Sequence, residues 1–306
     1  MLALLLCALI AVAPGEELVV QVEGEGAPVL LVPGLSAPAY TFRKLTPLLH
    51  EAGLRTVVVE PLGMGESARP RGADYTLTAQ AGRLAAVLDS LAVAPVVAAA
   101  QGVSAAMVFR LALMRPELVA GIVSIEGGPV ESALTPGVSG SLKLARLVGG
   151  LGGKRLVRDR YAAGLRRASG DASWVDRSTV RQYFLGPMRD LDGTLDAMLA
   201  MAEQPEPVAL VPRLPEIRVP VVLLLGGAEH EGALAAGELA ALQQGLARLE
   251  VVTVPGAGHF LQEERPDAVA AAIAGLSASV ASDPRSPRSG SEAARESSAP
   301  PGDNDR

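Results

Sequence analysis

The stretch Val96-Val97-Ala98-Ala99-Ala100-Gln101-Gly102-Val103-Ser104-Ala105 decides the fold. Its first five residues are apolar without a break and follow Pro95, so they read as a short strand buried on both faces. Ser104 to Met114 then has helical spacing and stops before Pro116. Only Gln101, Gly102 and Val103 are left to turn the chain between them. A buried strand handed directly to a helix is the building unit of a parallel sheet covered on both sides.

The same alternation extends outward. Leu18 to Val22, Val29 to Val32, Arg55 to Glu60 and Gly121 to Ile125 read as strands, and Phe42 to Ala52 and Thr76 to Leu91 as helices. Thr76 and Thr78 are the cap candidates of the second helix. From Ser132 to about Leu214 the periodicity is helical throughout. Val219 to Leu225 and Leu249 to Val254 resume the strands, with helices at Glu238 to Ala247 and Ala268 to Leu276. The expected fold class is α/β, a doubly wound, mostly parallel sheet with an inserted helical cap. The core covers 17–128 and 216–279 and the cap 129–215. From Ser282 to Arg306 there is no large apolar residue and no periodicity, and 280–306 read as a disordered tail.

Composition narrows the function. The chain has 306 residues, 49% of them hydrophobic and 20% charged, which is far too apolar for a disordered protein. Net charge is −6, and no nucleic-acid motif is present, so nucleic-acid partners are not expected. One cysteine, Cys7, allows neither an internal disulfide nor a multi-cysteine metal site. It lies in the uncharged run Leu2 to Ala13, LALLLCALIAVA. As a helix this run would reach roughly 18 Å, short of the ~30 Å hydrocarbon core of a bilayer. Its length and its Ala11-Val12-Ala13 ending read as a secretory signal or N-terminal anchor over 1–13, hence an exported or membrane-associated protein. No Lys or Arg precedes Arg43, so the positive flank of a signal is missing. The alternative is a first buried strand in a cytoplasmic protein.

Three glycine-rich turns follow strands in a fixed order: Val32-Pro33-Gly34-Leu35, Glu60-Pro61-Leu62-Gly63-Met64-Gly65-Glu66-Ser67, and Val254-Pro255-Gly256-Ala257-Gly258-His259-Phe260. With the strand-helix alternation, this pattern resembles the α/β-hydrolase superfamily over about Leu18 to Leu276, in its small esterase, epoxide-hydrolase and haloperoxidase-like branch. The resemblance implies a nucleophile, an acid and a histidine in that chain order. His259 takes the histidine position, as general base. Glu229, in Gly226-Gly227-Ala228-Glu229, takes the acid position. Glu126 at the end of the preceding strand is the backup acid and otherwise reads as a strand-end carboxylate.

At the nucleophile position the sequence departs from the family. Matching the segment without a gap puts Ala100 and Ser104 at the small positions, Gln101 at the usual histidine position and Gly102 at the nucleophile position, which then has no side chain. A second register, Gly102-Val103-Ser104-Ala105-Ala106, would make Ser104 the nucleophile. It would also leave Gly102 inside a strand, where glycine is unfavourable. The strained elbow, by contrast, suits glycine. The Gly102 register is therefore preferred, with Ser104 in the first turn of the helix.

The resemblance further implies an oxyanion hole from the backbone N–H groups of Leu35 and Val103, which survives side-chain changes. Pro33 stands where the family usually has histidine. Tyr40, Phe42, Gln101 and Phe260 are expected to line an apolar pocket. Tyr161, Trp174, Tyr183 and Phe184 either line it from the cap or fill the cap's own core. Between Ser141 and Arg167 eight basic residues stand against Asp159 alone. This segment reads as a solvated helix face, with contact to an anionic membrane surface as the alternative.

The expected ligand is a small apolar ester or acyl compound, and neither cofactor nor metal is expected. Three roles follow. The first is a hydrolase by descent with an atypical or lost nucleophile. The second is a non-catalytic ligand-binding or interaction protein. The third is a cofactor-free lyase or oxygenase using a His259–Glu229 dyad as base.

Overall fold

A computed structural model of the chain describes residues 6–35, 37–132 and 154–283. Its centre is β5 (Val96–Gln101), every residue of which is buried. Period-two geometry sends Val96, Ala98 and Ala100 to one core and Val97 and Ala99 to the other. This is why the strand reads as an unbroken apolar run. β5 pairs in parallel with β3 (Ala27–Val32) and β6 (Val119–Ile125). The sheet continues through β4 (Leu54–Val59), β2 (Glu16–Glu23) and β1 (Leu6–Ala13) on one side. On the other it continues through β7 (Val221–Gly226) and β8 (Leu249–Val254). Eight strands run in the order β1-β2-β4-β3-β5-β6-β7-β8. β2 is antiparallel to β1 and β4, and the remaining pairs are parallel.

One core is closed by α2 (Leu77–Leu91) and α3 (Ser104–Met114), the other by α1 (Thr46–Glu51) and α10 (Pro266–Ser282). Thr76 caps α2 as expected, its hydroxyl accepting from the Ala79 N–H. The tail boundary moves, because α10 runs to Ser282 and buries Val280. The Glu60-to-Ser67 turn is tied together from within. The Glu60 carboxylate accepts from the Ala39 and Glu66 amides, and the Ser67 hydroxyl donates to the Glu60 carbonyl.

The N-terminal run is an edge strand over Leu6–Ala13, joined to β2 by a tight Pro14-Gly15 turn. At the sheet edge it is not the fully buried strand of the alternative reading. Ile10 and Val12 lean on the core, while Cys7 and Leu9 face outward. The helix expected from Phe42 is shorter, because a 3-10 turn over Ala39–Phe42 precedes α1. No described helix is long and apolar enough to cross a membrane.

The described cap comprises α4 (Lys154–Arg167), α5 (Arg177–Tyr183), α6 (Leu185–Arg189) and α7 (Leu191–Glu203), and α8 (Ala236–Gly245) and α9 (Leu261–Glu264) follow it in the core. In α4 only Ala162 and Leu165 are buried, so its basic residues form a largely solvated face. Residues 141–153 of the basic segment, and the tail from 284 on, lie outside the described residues.

Candidate active site

Parallel strands deliver their C-terminal ends to one edge of the sheet, the usual place for ligands in this architecture. There the ends of β3, β5, β6, β7 and β8 bring Gly34, Gly102, Glu126, the loop 227–234 and His259 to the same edge.

β5 hands over to α3 at Gly102, which stands in the left-handed region at φ +57. Its N–H is held by the Ile125 carbonyl at 2.8 Å, and its carbonyl receives the Ala105 N–H. A Cβ added there would lie 3.3 Å from His259 Nε2 and 3.4 Å from Cε1. The corner therefore faces the imidazole with no side chain on it. Ser104 is 1% exposed, and its hydroxyl donates to the Pro33 carbonyl at 2.6 Å, tying the β3 turn to α3. Among the described residues, no hydrogen bond joins it to His259. Val103 holds helical dihedrals and Leu35 follows the Gly34 turn. Among the described residues, no backbone hydrogen bond engages the amide of either. The Gln101 side chain packs against Gly34 and donates to the His259 carbonyl at 3.2 Å.

His259 is positioned through its backbone. Its N–H donates to the Ala168 carbonyl at 2.8 Å, so the cap itself sets the height of the loop. At Gly258 the backbone amide of Gly170 comes so close that any Cβ would overlap it, which accounts for the Gly-His pair. Glu264 clamps the same crossing, accepting from the amides of Gly170, Asp171 and Gly258. The imidazole has its pKa lowered to about 4, first by burial and then by the neighbouring His230. The Gly232 backbone lies beside Nδ1 and offsets this slightly, yet completes no hydrogen bond. His259 is thus a neutral imidazole whose buried Nδ1 has no hydrogen-bond partner.

The acid is where the structure departs from expectation. Glu229 is exposed and does not bond His259. A carboxylate oxygen of Glu126 lies within 4.8 Å of a His259 ring nitrogen, with only 2% of the Glu126 side chain exposed. Glu126 holds φ +51 at the end of β6. One of its oxygens accepts from the Gly226 N–H and the other from the Leu234 N–H at 3.2 Å. Between Glu126 and His259 stands His230, with 1% of its side chain exposed and Nε2 3.4 Å from the Glu126 Oε2. The loop turns so that His230 Nδ1 meets the Ala228 carbonyl at 2.7 Å. That contact draws the ring inward and leaves the preceding Glu229 in solvent. Sequence reasoning missed His230, which has no glycine-rich context; its signal was adjacency to the expected acid.

Phe42 does not line the site. It is fully buried with Leu45 and Leu49 in the core on the α1 side. Tyr40 and Phe260 pack with Trp174 and Tyr183, where Trp174 and Phe260 have ring centroids 5.2 Å apart. The Tyr183 hydroxyl donates to Thr41 or Glu263, each at 2.7 Å. Phe184 and Tyr161 pack with Leu191 and Leu195. The cap aromatics therefore build small cores that fasten the cap to the sheet. Phe260 alone is edge-on to His259, at 5.3 Å.

With the geometry in place, comparison supplies the class. The model of the alpha/beta hydrolase family matches residues 29–272, and the chain belongs to that family. Its fold is shared with a thermophilic esterase from Thermogutta terrifontis (TM-score 0.71, 22% identity, covering 92% of this chain and 99% of that one). A haloalkane dehalogenase from Bradyrhizobium elkani gives a TM-score of 0.69 at 23% identity, covering 91% of this chain and 99% of that one. A bromoperoxidase from Bacillus anthracis gives 0.71 at 19%, covering 85% and 95%. At these identities the likeness carries the fold alone.

Proposed function

We propose that this hydrolase-fold protein binds a small apolar carbonyl compound at the Gly102 corner without forming an acyl-enzyme. The observation that carries this reading is the bare corner facing His259 Nε2, with Ser104 committed elsewhere. Acyl transfer needs an attacking side chain, a base to take its proton and a group on Nδ1 to hold the imidazolium. At this site the first is missing and Nδ1 has no bonded acid. What remains supports binding. The Leu35 and Val103 amides are available to a carbonyl oxygen. His259 Nε2 and Phe260 offer one polar and one apolar wall.

Slow direct hydrolysis is the second reading. Gly102 leaves room near Nε2 for a water in place of a side chain, and His259 could take its proton. The depressed basicity of His259 makes it a weak base for that task. The same fact, and the exposure of Glu229, leave the lyase or oxygenase reading with the least support.

The single tryptophan, Trp174, supplies the probe, because it touches Phe260 beside His259. Titration with p-nitrophenyl butyrate should change Trp174 emission while the ester is recovered essentially intact. A fluorophosphonate should leave the protein unlabelled. Rapid stoichiometric labelling that disappears in Ser104→Ala would refute the reading.

A further inference from the structure

Behind His259, on the side away from Gly102, three buried polar atoms converge. One ring nitrogen each of His230 and His259 and a carboxylate oxygen of Glu126 lie within 4.8 Å of one another. His230 Nδ1 contacts the Ala228 carbonyl at 2.7 Å. A carbonyl can only accept, so Nδ1 carries the proton and Nε2 of the neutral ring presents a lone pair. That lone pair faces the Glu126 Oε2 at 3.4 Å. His259 Nδ1 and His230 Nε2 are both buried without a hydrogen-bond partner. The neutral His259 ring can carry its proton on either nitrogen: on Nδ1 that proton enters the cluster, and on Nε2 two imidazole lone pairs and a carboxylate face one another and call for a cation. One added proton can bridge one pair of these acceptors. A divalent cation can take all three.

We propose that Glu126, His230 and His259 form a binding site for one divalent first-row transition cation, of the zinc type. A two-histidine, one-carboxylate donor set is the borderline nitrogen and oxygen chemistry that such ions prefer, and it lacks the oxygen shell of a Mg²⁺ or Ca²⁺ site. In a tetrahedral zinc site with bonds near 2.0–2.1 Å, donor atoms stand about 3.4 Å apart. The Glu126–His230 pair already has that spacing. The outer contacts are those that orient metal ligands. The Ala228 carbonyl fixes the His230 tautomer, and the Gly226 and Leu234 amides hold the carboxylate. A fourth position is left for water or an anion.

The consequence for the site is specific. A cation on Nδ1 fixes the proton of His259 on Nε2, so the imidazole presents a hydrogen-bond donor toward the Gly102 corner. The proposal does not depend on what binds at that corner.

The test uses the full chain, freed of metal by chelator and dialysed. Titration calorimetry with ZnCl₂ should give one equivalent bound per chain. Co²⁺ should give the visible absorption of a tetrahedral nitrogen and oxygen site. His230→Ala and Glu126→Gln should each weaken Zn²⁺ binding about 100-fold. His50→Ala, whose ring bonds Thr56, should leave it unchanged. Because the variants could unfold, the wild type carries a second readout. In ¹⁵N imidazole spectra, Zn²⁺ should move Nδ1 of His259 and Nε2 of His230. No bound Zn²⁺ in the wild type, or equal binding in folded variants, overturns the site and leaves a proton-bridged Glu126–His230 pair.

Discussion

Two neighbouring strands of this sheet end on residues in the same unusual backbone conformation, one bare and one charged. β5 leaves through Gly102 at φ +57 and β6 through Glu126 at φ +51. Glycine adopts that region freely, whereas a residue with a Cβ gives up roughly 1–2 kcal/mol to do so. In a serine hydrolase the strained corner carries the nucleophile. Here the corner facing Nε2 of His259 is relaxed and empty, and the strained residue lies on the Nδ1 side with a buried carboxylate. Strain persists only where surrounding contacts hold it, here the Gly226 and Leu234 amides. The two unusual corners thus flank the imidazole, Gly102 at Nε2 and Glu126 on the side of Nδ1.

The strongest attempt to erase that difference is Gly102→Ser. Its Cβ would stand 3.3 Å from His259 Nε2, placing a hydroxyl within reach of the ring. We expect stoichiometric fluorophosphonate labelling where the wild type shows none. Turnover of p-nitrophenyl butyrate should rise on the order of 10- to 100-fold, held low because no acid bonds Nδ1. A folded variant that stays unlabelled would show that the corner is not a displaced elbow. Glu126→Ala attacks the other side of the comparison. It strips the acceptor from the Gly226 and Leu234 amides, so chemical denaturation should report a loss of about 2–3 kcal/mol. A loss within experimental error would mean that the carboxylate does not hold the β6 corner.

The half of the comparison visible in the sequence is the Gly102 half. β5 is apolar on both faces, and a glycine just past it belongs at a turn more than in a strand. His259 was legible for a similar reason, since the glycine before it, Gly258, is demanded by the crossing of the Gly170 backbone. The acid was not legible. Gly226-Gly227-Ala228-Glu229 matches the local pattern, but the carbonyl of Ala228 captures His230, and that capture decides which side chains turn inward. The strand over Leu6–Ala13 was not legible, for a different reason. An uncharged dodecamer has no alternation to separate a strand from a signal segment, although Pro14-Gly15 ahead of the β2 residues was a usable hairpin signal. Phe42 was misplaced because a 3-10 turn, absent from its periodicity, points it into the core.

Ser104→Ala sharpens the comparison at smaller cost. It removes a 2.6 Å hydrogen bond and leaves the buried Pro33 carbonyl without that donor, for a loss of about 1–2 kcal/mol. Labelling and ester binding should not change. A serine that served as nucleophile would instead take the activity with it.

The finest cut compares Glu126→Gly with Glu126→Ala. Both delete the carboxylate and free the same two amides, so their difference isolates the backbone. At φ +51 the glycine variant escapes the clash that alanine keeps, and gains back about 1 kcal/mol. Glycine also has the more flexible unfolded chain, which works against it by up to about 1 kcal/mol. Glycine equal to or more stable than alanine, in paired denaturant midpoints, is therefore the signature of real strain at this corner. At an ordinary exposed position with negative φ alanine should win. An alanine variant more stable by about 1 kcal/mol would mean that β6 relaxes its corner once the carboxylate is gone, and that Glu126 imposes the conformation it occupies.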